Sequence, residues 1–359
     1  MGIIDRFFGR ESRELMALDI SSTRVKLLAL SGEPGRYQIE AYASENLPAG
    51  AIADNQVAEP ELVGQAVTRA VQRSGTRLRQ AAVAVSGSAV ISKIIDMPAT
   101  LSEDEIEQQI GFEADQYIPY PIEEVSLDFQ VLGPNEQDPD MNRVLLAACR
   151  RDTVEMRLAA LESAGVQVRV VDVEGYALQN ACQLLAPQMP DEGMGRTVAV
   201  VDVGANNTVM NVLHDMETVY AREQAFGGRQ LVDDIQRHYG LESADEALAK
   251  LRAGELDKDF LETTLPMFAD QIAQQIDRSL QFFFSASTQH DSVDRVLLTG
   301  GTALVPDIDK LVEHTLDIPV AIGNPLAGMR ASNAARRNRV EAEAPALMVA
   351  TGLALRAFH

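Results

Sequence analysis

The feature that most constrains this chain is a repeated short pattern: an apolar strand ending in aspartate, a small polar turn, then a second strand. The clearer copy is VAVVDVGANNTVMNV, residues 198–212. Val198 to Val201 form the continuous apolar run of a strand covered on both faces. Asp202 stands where that strand ends. Gly204, Asn206 and Asn207 tolerate the positive φ angles of a tight turn, and Val209 to Leu213 resumes the strand pattern. Such a turn offers backbone N–H groups to a phosphate, and a carboxylate at the strand tip suits a hydrated Mg2+ ion. An ordinary β-hairpin carries the same local signature. The second copy raises the pattern above that: LMALDISSTRVKLLAL, residues 15–30, runs its strand into Asp19, follows with Ser21, Ser22 and Thr23, and carries Lys26 in the next strand. Two such hairpins roughly 180 residues apart predict a duplicated α/β fold with two half-domains facing a shared cleft.

A third stretch, VLLTGGTALVPDI at 296–308, takes a strand into Gly300-Gly301, where the backbone can approach a flat or anionic ligand, with a helix starting near Pro306. In this order the three stretches resemble the phosphate-1, phosphate-2 and adenosine motifs of the actin-like ATPase clan, which holds actin, the heat-shock chaperones, sugar kinases and FtsA. The run from Asp19 to Lys26 also matches actin's aspartate-to-lysine spacing. The chain departs from the clan pattern at Ser21, where glycine is usual, and at Asn206, where glycine or aspartate is common. The resemblance therefore implies ATP binding, with hydrolysis slow or absent.

With 359 residues, 46% of them hydrophobic, the chain can build two core-bearing domains. No run approaches the ~18 apolar residues of a membrane span, and MGIIDRFFGR lacks the long apolar region of a secretory signal. Cys149 and Cys182 lie in apolar settings and read as reduced core residues of a cytoplasmic protein. A net charge of −22 argues against nucleic acid and against electrostatic docking on anionic lipid, and suits a basic protein partner.

Along the chain, residues 1–10 read either as an amphipathic arm with Ile3, Ile4, Phe7 and Phe8 on one side or as a helix packed on its own domain. A helix follows Pro60, with Val63, Val67, Ala70 and Val71 at helical spacing, and Ala81 to Val85 is a strand. Ser102 and Glu105 form a capping-box signature ahead of Ile106, Ile110, Ala114 and Tyr117, and Pro119 and Pro121 end that helix. Strands at 125–131 and 143–148 and a helix at 153–164 complete an αββα unit. A strand at 166–171 leads to a helix from Glu174. Asp172 and Glu174 are both open either as N-terminal helix residues or, as the resemblance to the clan implies, as groups that orient an attacking water. Gly227-Gly228 precedes a helical region reaching about Ala286. Of Phe282, Phe283 and Phe284, two are expected in the core and one partly exposed. A helix at 307–316, a strand at 319–322, a solvated basic loop at 329–339 and a closing helix at 346–358 finish the chain.

The αββα unit lies where FtsA carries its inserted subdomain 1C. LDISSTRVKLL, FEADQYIPYPIEEV and VVDVEGYALQNA resemble the PilM-like, FtsA-related family of type IV pilus assembly over nearly the whole chain. The resemblance implies an actin-like (ribonuclease H-like) fold, divided as 1A (1–95, 166–195 and 343–359), 1C (96–165), 2A (196–225 and 293–342) and 2B (226–292). It implies ATP and Mg2+, with Asp19 and Asp202 facing the metal through water. Ser21, Ser22, Thr23 and Lys26, with the backbone of Gly204, Ala205, Asn206 and Asn207, would face the phosphates. Gly227, Gly228, Gly300, Gly301 and Thr302 would lie about the nucleotide. The implied partner is the N-terminal cytoplasmic segment of PilN, docked between 1A and 1C and holding the chain at the inner membrane. Pilus assembly and retraction ATPases are further partners it implies. FtsA's terminal membrane helix has no counterpart at the end of this sequence. A small-substrate kinase of the same clan would need a separate catalytic aspartate in a glycine-rich loop, which is not found. A filament-forming protein is the remaining class, and the strong negative charge opposes self-association.

Overall fold

The computed structural model describes residues 14–287 and 289–358, with backbone alone at 113–115 and 337. The amphipathic reading of residues 1–10 lies outside the described residues. The chain divides into two units, one running to Tyr176 and resuming at Leu353, the other Ala177–Gly352.

In the first unit, β1 (Met16–Ile20), β2 (Arg24–Glu33) and β3 (Arg36–Asn46) form an antiparallel meander. A small hairpin, β4 (Ile52–Ala53) and β5 (Gln56–Val57), leads to α1 (Pro60–Ser74) and β6 (Gln80–Val85). β6 lies parallel to β1, and β10 (Gln167–Val173) lies parallel to β6. The order is β3-β2-β1-β6-β10. Met16, Leu18 and Ile20 of β1 meet Val63, Val67 and Ala70 of α1 in one core. Proline stands at the first turn of α1, where the sequence predicts the helix start, and a left-handed Gly75 ends the helix.

The second unit repeats the plan. β11 (Thr197–Val203), β12 (Thr208–His214) and β13 (Glu217–Gln224) form the meander, and β14 (Arg295–Thr299) and β15 (Val320–Ile322) extend it in parallel, in the order β13-β12-β11-β14-β15. Ala199, Val201 and Val203 enter one core while Val198 and Val200 enter another on the opposite face. That is why β11 is apolar at successive positions instead of alternating. Between β13 and β14 the chain is chiefly helical, with α5 (Arg229–Tyr239), α6 (Ala244–Ala253) and α7 (Leu265–Ala286). On α7, Phe283 is buried, Phe284 packs against the same core, and Phe282 is 48% exposed under the Arg222 guanidinium, as expected of three consecutive helical positions.

A three-stranded antiparallel sheet in the first unit corrects the reading of the insert. Its order is β7-β9-β8, from β7 (Val90–Pro98), β8 (Val125–Pro134) and β9 (Met141–Arg150). β7 begins before residue 96, where the sequence reading opens the insert. One face takes α2 (Glu103–Tyr117), whose Ile106 and Ile110 pack on Ile95, Met97, Phe129, Val144 and Leu146. The capping box is formed: Ser102 Oγ accepts from the Glu105 amide at 3.4 Å, and Glu105 Oε2 accepts from the Ser102 amide at 2.9 Å. The helix expected to complete an αββα unit, α3 (Arg151–Ser163), instead sends Ala160 and Leu161 into the core beneath β1 and α1. The basic stretch at 329–339 is not simply a loop, since Ser332 caps a short helix, Asn333–Arg337. The closing element is a helix, Met348–Leu355, with a 3-10 turn at each end.

Candidate functional site

The two turns after β1 and β11 close in the same way. In the first, the amide of Ser21 donates to the carbonyl of Arg24 at 2.9 Å; in the second, the amide of Gly204 donates to the carbonyl of Asn207 at 2.9 Å. Each bond runs from the second to the fifth residue after the aspartate. Each loop so closed holds two residues, Ser22 and Thr23 or Ala205 and Asn206. Among the described residues no acceptor takes their four amide N–H groups. Paired free amides at a tight turn form an anion-binding concavity. Contrary to expectation, Gly204, Asn206 and Asn207 keep negative φ, as do Ser21, Ser22 and Thr23. Ordinary turn geometry closes both loops, so serine at 21 and asparagine at 206 fit without strain.

The aspartates differ in their partners. Asp19 is 5% exposed and pairs across the hairpin with its register neighbour Lys26, Nζ to Oδ2 at 3.0 Å. Lys26 is therefore engaged with the aspartate in this structure. Asp202 accepts instead from Thr299 Oγ1 at 3.0 Å, the last residue of the parallel neighbour β14. Burial pushes the nearby Cys182 thiol up to about 12, and Asp202 adds to the shift, so this cysteine is an inert core group.

Gly227 and Gly228 build the second turn from behind. The Gly228 amide donates to Gly204 O and the Arg229 amide to Ala205 O, each at 2.9 Å. A methyl group on Gly227 would stand 2.4 Å from Ala205 O, and one on Gly228 2.5 Å from Thr302 Oγ1. This pair thus supports the turn's backbone. Gly300 has φ +88 and lies so close to Val203 that a Cβ would meet its carbonyl oxygen at 2.5 Å. Gly301 differs: an added Cβ would find nothing within 4 Å. Thr302 reaches Gly204 O through its hydroxyl at 3.5 Å.

Of the two acids near the start of α4 (Glu174–Cys182), Asp172 is taken up structurally. Its side chain is 3% exposed, Oδ1 accepts from the Val173 amide, and Oδ2 accepts from Arg356 Nε at 2.7 Å. Glu174 opens the helix and lies within the field of Arg157. Arg157 itself, with Thr299 and Arg356, escaped the sequence reading. The available signal for Arg157 was a cation on the same helical face as Thr153, Ala160 and Leu161. Among the described residues no group of three or more His, Cys, Asp or Glu could hold a metal ion, and no helix is long and apolar enough to cross a membrane.

Two units of one topology, each with an aspartate at a strand tip and a matched turn, define an actin-like fold. A solved structure of the ethanolamine utilization protein EutJ from Carboxydothermus hydrogenoformans shares that fold, with a TM-score of 0.54 at 16% identity over 98% of this chain and 94% of that one. The type IV pilus assembly protein PilM family matches residues 17–358, and the chain belongs to it. It is also similar to a chain of the PilM–PilN type IV pilus biogenesis complex, with a TM-score of 0.77 and 28% identity, over 97% of this chain and 99% of that chain.

Proposed function

We propose that this chain is an ATP–Mg2+-binding scaffold of type IV pilus assembly that docks the N-terminal cytoplasmic segment of PilN. The observation that carries the nucleotide half is the pair of equivalent turns, each with two free amides beside a strand-tip aspartate. Backbone N–H pairs of this kind suit phosphate oxygens. Gly301, with open space over its Cα, suits the close approach of an adenosine. Mg2+ would neutralise phosphate charge when bound. With no three-acid cluster among the described residues, it would be held chiefly by phosphate and water, with Asp19 and Asp202 facing it through water. Lys26 and Ser21 would serve the phosphates. Glu174 is the remaining candidate for orienting water, and hydrolysis is slow or absent.

The similarity to the PilM–PilN complex supports the partner half. The proposed dock is the first unit's three-stranded sheet on the face away from α2. Alternation along β7 sends Ile95 and Met97 into the α2 core and leaves Ile94 48% exposed. Nearby, Tyr176 Oη and Ser92 Oγ lie 2.8 Å apart and tie β7 to α4. An extended segment would gain from apolar anchors there.

The test is calorimetric titration of the full chain with ATP–Mg2+, in wild type and Asp202→Ala, followed by a synthetic PilN N-terminal peptide. Binding of both ligands, with ATP weakened by the substitution, is expected. Peptide binding without ATP binding would overturn the nucleotide half, and ATP binding without peptide binding would overturn the partner half.

A further inference from the structure

We infer that Arg157 is a positioning residue for the first turn and ties it to the helix that leaves the three-stranded sheet. Its functional meaning rests on the nucleotide reading above; its geometry does not. Arg157 is 2% exposed on α3. Nη1 donates to the carbonyl of Ile20 at 3.4 Å, and Nη2 donates to the carbonyl of Asn55 at 3.2 Å. Nε has no acceptor. Ile20 is the residue between Asp19 and the turn. Asn55, with Asp54, forms the two-residue tip of the β4–β5 hairpin, and both have positive φ.

The guanidinium therefore clamps two backbone carbonyls from separate loops. Burial pulls its pKa down, while Glu174, Asp19 and Cys149 act against the shift. Keeping a desolvated cation is costly unless its hydrogen bonds do something a neutral side chain could not. Here the peptide plane supplies the reason. The carbonyl of Ile20 and the amide of Ser21 belong to one rigid, trans unit. Arg157 holds its oxygen side, and Arg24 O accepts from its nitrogen side at 2.9 Å. Fixing that plane fixes the hydrogen bond that closes the turn, and with it the direction of the two free amides. A planar fork can hold both carbonyls at once, which a lysine ammonium on a flexible stem does poorly. α3 begins at the residue after β9, the central strand of the three-stranded sheet, so the turn is linked through one helix to the proposed docking sheet.

The test is hydrogen exchange on the full chain, comparing wild type, Arg157→Met and Arg157→Lys without nucleotide, followed by ATP–Mg2+ titration. The Ser21 amide is expected to exchange about tenfold faster or more in both variants, while amides of β6 and α1 keep their protection. ATP affinity is expected to fall about tenfold, with lysine giving no rescue. Unchanged exchange at Ser21 in a folded variant would overturn the proposal, as would a uniform rise across β6 and α1, which would make Arg157 a general core residue. If Arg157→Met does not fold, Arg157→Lys, which keeps stem and charge, decides alone. Wild type that fails to bind ATP would sink the nucleotide reading and leave the exchange result standing.

Discussion

Replacing Gly227 by alanine puts a methyl group 2.4 Å from Ala205 O, 2.5 Å from Ala205 C and 2.7 Å from Gly204 O. All three are backbone atoms of the second turn, so no flexible side chain can swing away. Overpacking of this kind costs about 1–3 kcal/mol. At about 2–4 °C per kcal/mol for a unit of this size, the melting temperature should fall by roughly 2–12 °C. ATP affinity should fall as well, because the atoms displaced are those that aim the amides of Ala205 and Asn206. Gly301→Ala is the matched control. Beyond its immediate chain neighbours its methyl group meets no atom of the described residues within 4 Å, and its φ is not positive, so stability should change by less than about 1 kcal/mol. If the open space over Gly301 is where an adenosine lies, ATP should nevertheless bind about tenfold more weakly. The assays are differential scanning calorimetry and isothermal titration with ATP–Mg2+. Unchanged melting in Gly227→Ala would show that the close approach is not required. Unchanged ATP affinity in Gly301→Ala would refute the adenosine contact.

Three further outcomes are expected. Asp172→Ala removes the buried carboxylate that pairs with the half-buried Arg356 and should destabilise the first unit by about 3–5 kcal/mol in urea unfolding, far more than loss of an exposed catalytic group would. Ser102→Ala removes the α2 cap and should cost about 0.5–2 kcal/mol, seen as earlier loss of α2 amide protection. Asp128 is 4% exposed with Oδ2 unpartnered among the described residues, and burial raises its carboxyl to about 6, with the Phe129 amide opposing and Glu107 adding. The folded chain thus holds this proton over a pH range where the unfolded chain has lost it. Stability should therefore fall as pH rises from about 4 to about 6 and stay lower above that, by about 1–3 kcal/mol. Asp128→Asn should remove that slope and raise the urea midpoint at pH 8; an unchanged pH profile would refute the assignment.

The turn residues were legible because each signal is local. The run VAVVDVG carries its buried strand, its terminal aspartate and its turn within a few positions, and Ser102 and Glu105 specify a helix start by themselves. The support around them was not legible. Thr299 reaches Asp202 across 97 residues of sequence, and Arg157 reaches Ile20 across 137. Nothing in either neighbourhood names the other. The β4–β5 hairpin had a readable signal, Asp54-Asn55, both of which tolerate positive φ, but its strands are only two residues each. β7 mixes exposed Ser92 and Lys93 with buried Ile95 and Met97, so its pattern is too weak to mark the edge of an insert.

By itself the sequence determined the duplicated strand–turn–strand plan, the helix boundaries set by Pro60 and Ser102, and membership in the pilus-assembly family. These depend on backbone preferences and short-range periodicity, which a chain carries before it folds. Only the tertiary structure decided that α3 belongs to the core beneath β1, that Asp172 is tied to Arg356, and that Gly227 and Gly228 brace a turn. Each depends on which distant backbone arrives beside a residue, and topology settles that through burial and the pairing of polar groups that water no longer reaches.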